Sequence, residues 1–123
     1  MASTVIAFIV GILLLLMAAR YVAVVALTGK ERFRVGHPLG LRSRELTASE
    51  EAWDAGHRAA RPILLVTIVM AFLDAFLTVV MFQEMSVVAT IIVGVIEVAL
   101  ILALAAVARS QAVRQARLVT PTP

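Results

Sequence analysis

Cysteine is absent from this chain, so disulfides, thiolate metal sites and a cysteine nucleophile are all excluded. No Ser-His-Asp arrangement, HExxH pair or phosphate-cradling glycine loop is present either. Histidine is scarce: His37 and His57 are the two there are. They lie far apart, and a zinc site would need two further ligands from Glu45, Glu50, Glu51 or Asp54. Neither a metal nor any other cofactor is therefore expected, and with no evident nucleophile the chain reads as a non-enzyme. Charge is also thin, at 15% of 123 residues, while 62% are hydrophobic and the mean hydropathy is +1.01. A soluble domain of this size is about half apolar and interrupts its apolar runs every few residues.

Here the runs are long. Val5 to Leu27 is broken only by Arg20, Ile63 to Phe82 only by Asp74, and Val87 to Ala108 only by Glu97. Each approaches the roughly 20 residues that cross a hydrocarbon core. The first lacks a basic n-region and is too long for a signal-peptide h-region, so a retained span is expected. The fold class is an all-α membrane protein with three transmembrane helices and a short cytoplasmic interfacial helix between the first and second. The divisions are 1–28 for the first span, 29–61 for a polar loop, 62–108 for a hairpin of two spans (62–82 and 87–108), and 109–123 for a tail.

Charge placement orients these spans. Lys30, Arg32, Arg34, Arg42, Arg44, Arg58 and Arg61 fall in the loop and Arg109, Arg114 and Arg117 in the tail, leaving Arg20 alone within a span. The positive-inside rule then puts the N-terminus outside and both loop and tail in the cytoplasm, as in a bacterial-type inner membrane. The basic balance is a topology signal, with anionic lipid headgroups as secondary partners; no nucleic acid is implied. The turn "QEMS" (Gln83 to Ser86) leaves room only for antiparallel neighbours. The segment Arg109 to Val119 should continue the third helix before "TPTP" frays. No internal repeat supports an inverted-repeat transporter within one chain.

The loop concentrates the chemistry in "GLRSRELTASEEAWDAGHRAARP", Gly40 to Pro62. "TASE" reads as a capping box, with Thr47 capping the Glu50 N–H and Glu50 reaching back. It starts a helix of about 48–60, on which Asp54 and Arg58 can pair. Pro62 suits the first turn of a new helix, so a bend is expected there. Glu50, Trp53, His57 and Arg61 share one face. Two readings stay open: an interfacial helix with Trp53 at headgroup level and Arg61 on phosphates, or a recognition face with Gly40 and Arg42 folded over it.

Gly40-Leu41-Arg42, then Trp53 eleven residues after the arginine, then His57-Arg58, resembles the signature of the SdpI family. That pattern is G-[IL]-R, a Thr-containing linker, an acidic pair, then W-x-x-x-H-R. Glu50 and Glu51 fall where the acidic pair lies, and Ser49 before them fits a helix start. Thr47 stands one place late, and "GHP" (Gly36 to Pro38) replaces the family's upstream Asn. The motif covers about 20 residues, and one helix before and a hairpin after extend the resemblance to most of the chain, matching the C-terminal half of a six-span archetype. The resemblance implies toxin-peptide immunity or membrane signalling through Gly40, Arg42, Trp53, His57 and Arg58, with a regulator or membrane protein as partner.

A second constellation lies within the spans. Thr67, Ala71, Asp74 and Thr78 form one small and polar stripe, and Ser86, Thr90, Gly94 and Glu97 another. Small residues let helices approach and hydroxyls bond across the contact, so these faces should meet. At 1.5 Å per residue, Asp74 and Glu97 stand ~16 and ~19 Å from the turn, near mid-membrane. Arg20 could snorkel outward or tilt inward to a carboxylate. The acids could knit the helices, carry protons or a cation in a homo-oligomer, or complete a partner's helix interface. The alternatives to the SdpI-type reading are thus an accessory subunit of a larger complex and an oligomeric ion- or proton-coupled transporter.

Overall fold

The computed structural model describes residues 2–81 and 84–119. They form three helices: α1 (Ala2–Leu27), α2 (Glu50–Met81) and α3 (Val87–Val119). No strand occurs among the described residues. All three helices are long and apolar enough to cross a membrane. Their outward faces agree: Leu16, Phe76 and Val88 are 64%, 65% and 66% exposed, a continuous apolar surface that water would not tolerate.

Each helix buries a narrow stripe built largely of small residues. On α1 it is Ala7, Gly11, Leu14, Ala18, Tyr21 and Val24. On α3 it includes Gly94, Ala108, Ala112 and Ala116. Small side chains replace the hydrophobic drive that lipid removes, by letting backbones approach and gain dispersion contacts. A Cβ added to Gly94 would stand 2.8 Å from Cγ2 of Val10, and one added to Gly56 would stand 2.9 Å from the Ala112 carbonyl oxygen. Those glycines set the α1–α3 and α2–α3 spacings. α2 is central, packing more closely on α1 and α3 than those two pack on each other.

Two expectations about α2 fail. No separate loop helix exists; the helix starts at Glu50 and runs unbroken through Pro62 to Met81. Pro62 removes one hydrogen bond, to the Arg58 carbonyl, and the surrounding apolar helix absorbs that loss without ending. Nor does Thr47 cap the helix. Its hydroxyl donates to the Ser43 carbonyl at 2.9 Å, and Ser49 is the N-cap, its Oγ accepting from the Ala52 N–H at 3.0 Å. Glu50 and Glu51 follow in the first turn, where the helix dipole favours them.

The hairpin closes within five residues, of which Glu84, Met85 and Ser86 are described; Gln83 of the anticipated turn lies outside the described residues. Ser86 caps α3 through the Ala89 N–H at 3.1 Å. The Ser3 hydroxyl reaches the Met85 carbonyl, so the start of α1 lies at the hairpin end. The 32 residues of α2 and 33 of α3 make rods of ~48 and ~50 Å, against a ~30 Å hydrocarbon core. Both overhang at the opposite end, where Glu50–Arg61, Arg109–Val119 and the 28–49 loop build a polar head. Thr120 to Pro123, the "TPTP" segment, lie outside the described residues.

Candidate functional site

The head is organised around the sole tryptophan. Trp53 and His57, one turn apart on α2, are 1% and 0% exposed. The indole Nε1–H donates to the Phe33 carbonyl at 3.1 Å. The Phe33 ring lies 5.3 Å from Trp53 and packs edge-on to His57 at 4.9 Å. Trp53 and His57 rings are 4.3 Å apart. His37 also reaches this cluster, its ring 5.1 Å from Phe33. Ring pairs of this kind contribute about 0.5–1.5 kcal/mol each beyond burial, more than exposed ion pairs such as Arg58–Asp54.

Gly40 explains why the loop can close over these rings. A Cβ there would collide with Cη2 and Cζ2 of Trp53 and stand 3.2 Å from His57 Nε2. With only hydrogen at that position, the chain lies flat on the indole and aims the next amide inward. The Leu41 N–H donates to His57 Nε2 at 2.9 Å, while His57 Nδ1 sits 2.7 Å from the Trp53 carbonyl. An acceptor at Nε2 and a donor at Nδ1 define the neutral Nδ1–H tautomer. His57 precedes Pro62 and so lies outside the apolar span. Burial pushes its imidazole below the ordinary histidine value, against smaller opposing effects of the Trp53 carbonyl and Asp54.

The loop is also fastened to α3. Leu46, fully buried, sits against Gly56. Arg109 Nε donates to the Arg42 carbonyl at 3.0 Å, and Arg117 pairs with Glu45 at 3.0 Å. A hydrogen bond from its own backbone amide, and then Arg117, hold the Glu45 carboxyl below its ordinary value. The Arg42 guanidinium is exposed and donates to the Gly36 carbonyl at 3.2 Å.

The anticipated recognition face therefore divides. Gly40, Trp53 and His57 are brought together inside the head. Glu50, Arg42, Arg58 and Arg61 are exposed. Trp53 presents no open face, because Phe33 and the loop cover it. Comparison with known proteins finds no matching family model, no matching curated protein and no matching solved structure.

Within the spans the two polar stripes meet at one point. The Thr78 hydroxyl lies 2.7 and 2.6 Å from the two Glu97 oxygens. Thr67 and Thr90 instead turn their hydroxyls back to the Ile63 and Ser86 carbonyls of their own helices. Ser86 is engaged as the α3 cap. Gly94 faces Val10 of α1 rather than α2. One turn before Thr78, Asp74 has its Oδ2 buried with no hydrogen-bond partner. Arg20 does not reach these acids. It falls outside the buried stripe of α1 and is exposed, and the ion pairs among the described residues are Arg58–Asp54 and Arg117–Glu45. Of the two expectations for Arg20, the inward tilt fails. Among the described residues, no three His, Cys, Asp or Glu side chains gather as a metal site.

Sequence reasoning missed Phe33, Leu46, Gly56 and the two α3 arginines that hold the loop. One signal was readable: Ala108, Ala112 and Ala116 recur at four-residue spacing through the basic tail, a small-residue face that a neighbouring helix would need.

Proposed function

We propose that this chain is a non-enzymatic integral membrane protein of SdpI type, with its N-terminus outside and its polar head in the cytoplasm of a bacterial-type inner membrane. The head recognises a protein partner in toxin-peptide immunity or membrane signalling. The observation that carries the reading is the convergence of Gly40, Trp53 and His57. Residues picked out by the family resemblance, 17 positions apart from first to last, form one interlocked unit. On this reading their role is to fix the loop, and the exposed Arg42, Glu50, Arg58 and Arg61 around it make the partner contact.

The experiment is in-cell photocrosslinking from Glu51, which is exposed, in preference to Ala52, which is buried. A single protein adduct that disappears in Arg42→Ala, at unchanged membrane abundance, supports the reading. Lipid adducts alone, unaffected by that change, overturn it.

A second reading draws on the buried, unpartnered Asp74 Oδ2. An unsatisfied carboxyl oxygen near mid-membrane is costly, and a helix from another subunit or a second copy would supply the missing donor. On that reading Asp74→Asn lowers the size of the complex extracted in mild detergent; an unchanged size removes it.

A further inference from the structure

Where α1 ends and α2 enters the apolar region, residues of both helices line an open cleft of about 510 Å³. Its walls have two different characters. Val22, Val25 and Ala26 of α1 face Leu65 and Ile68 of α2 and make an apolar floor. Lys30 and Arg61 line its mouth. These two come from different elements, one just past the end of α1 and one from the last polar turn of α2. Arg61 is the last charged residue before Asp74, and Lys30 the first after Leu27. The cleft therefore straddles the apolar–polar boundary, its floor reaching about 10 Å below Arg61 at Ile68.

The charges are unbalanced. Arg58 and Arg117 have carboxylate partners, but among the described residues neither Lys30 nor Arg61 is in an ion pair. The carboxyl end of α1 favours the Lys30 cation. Of the last four carbonyls of α1, Leu27 accepts from the Lys30 N–H and Val24 from the Thr28 N–H and hydroxyl. Gly29 has a φ of 86°, which turns the chain sharply so that Lys30 stands at the mouth and not along the α1 axis.

We infer that this cleft binds one anionic phospholipid of the cytoplasmic leaflet, its phosphate between Lys30 and Arg61 and the upper part of an acyl chain on the Val22–Ile68 floor. Two cations over an apolar trough match a molecule that carries a phosphodiester on hydrocarbon. The inference rests on the spans crossing a membrane in the proposed orientation and not on a protein partner, so its failure is separate from that of the crosslinking experiment.

The test uses the full chain in mild detergent, titrated with fluorescent phosphatidylglycerol and with phosphatidylcholine of the same chains. Tighter binding of phosphatidylglycerol is expected. Losing one cation should weaken it by about fivefold, and the Lys30→Gln/Arg61→Gln pair by about 25-fold, given the per-charge attraction of surface Lys and Arg to anionic lipid. Arg44→Gln/Arg114→Gln, which removes equal charge elsewhere in the head, should change it far less. Ala26→Phe fills the floor and should weaken binding with the charges intact. Equal affinity for the two lipids overturns the inference, as does equal loss in both double variants, which would leave only diffuse attraction. Competition by millimolar inorganic phosphate also overturns it, since it would mark a site for a free anion. Circular dichroism of each variant separates loss of binding from loss of fold.

Discussion

Replacing Gly40 by alanine inserts one methyl group where the loop lies directly on the Trp53 ring. The Cβ would overlap Cη2 and Cζ2 of Trp53. The ring cannot move aside, because it is 1% exposed, tied to the Phe33 carbonyl at 3.1 Å and flanked by Phe33 and His57. The loop must lift instead. Overpacking of this kind costs about 1–3 kcal/mol, and lifting breaks the Leu41 N–H to His57 bond, leaving a buried acceptor unsatisfied for about 1–3 kcal/mol more. Gly40 is not at positive φ, so alanine recovers about 0.4–1 kcal/mol through the unfolded chain. The net is about 3 kcal/mol, a hundredfold or more in the equilibrium between closed and open head.

The assay is built in, because Trp53 is the chain's only tryptophan. Its emission should be blue-shifted in the native protein and red-shifted in Gly40→Ala, with helical circular dichroism largely retained by the spans. Pairing Gly40→Ala with Trp53→Leu removes the overlap, so in denaturant melts followed by circular dichroism the two changes should be clearly non-additive. Unchanged emission and an unchanged denaturation midpoint in Gly40→Ala would refute the close-approach argument.

The remaining predictions follow from other contacts. His57 is held neutral, so its contribution to head closure is complete above about pH 6.5. It is lost as pH falls from there through the lower folded-state value, because the opened form takes up the proton first. Trp53 emission should therefore shift red on mild acidification, and His57→Gln should remove that dependence even though it opens the head somewhat at all pH values. Thr78→Val deletes the one hydroxyl that bonds Glu97 across the hairpin and should cost about 1–3 kcal/mol; Thr78→Ser should restore most of it, as read by thermal melting in detergent. Pro62→Ala returns a donor to an unbroken helix and should raise the melting temperature by an amount equivalent to about 3 kcal/mol at most; a fall of several degrees would show that the proline's local geometry is needed.

The spans were legible because each is a long apolar run interrupted once, and the hairpin because only four residues, three of them polar, separate two of them. The stripe through Thr78 and Glu97 was legible by helical spacing, although spacing could not say that Thr67 and Thr90 would satisfy their hydroxyls locally. The start of α2 was misread because Thr47 and Ser49 are both competent caps; the choice fell to the turn at Ser43, which took the Thr47 hydroxyl. A new helix was expected to begin at Pro62 from the proline alone, and the helix instead continues through it. The closed head was the least legible part. Residues 28–49 have no period to read, and their fold depends on Phe33, Leu46 and Gly40 meeting side chains 10 to 20 residues away. Such contacts leave a signature in three dimensions and almost none along the chain.

The overhang of α2 and α3 gives the head a mechanical character. Neither rod is interrupted at the boundary, so each behaves as a lever arm of ~18 Å beyond the hydrocarbon core. Tilting such a lever by 10° about the boundary carries its tip through about 3 Å, comparable with the hydrogen bonds that join Arg109 to Arg42 and Arg117 to Glu45. α1 has no such arm; it hands over to a loop at Gly29. A change of bilayer thickness, or of the neighbour beside the hairpin, would thus be read out at the far end as a shear between two helices and the loop that straps them.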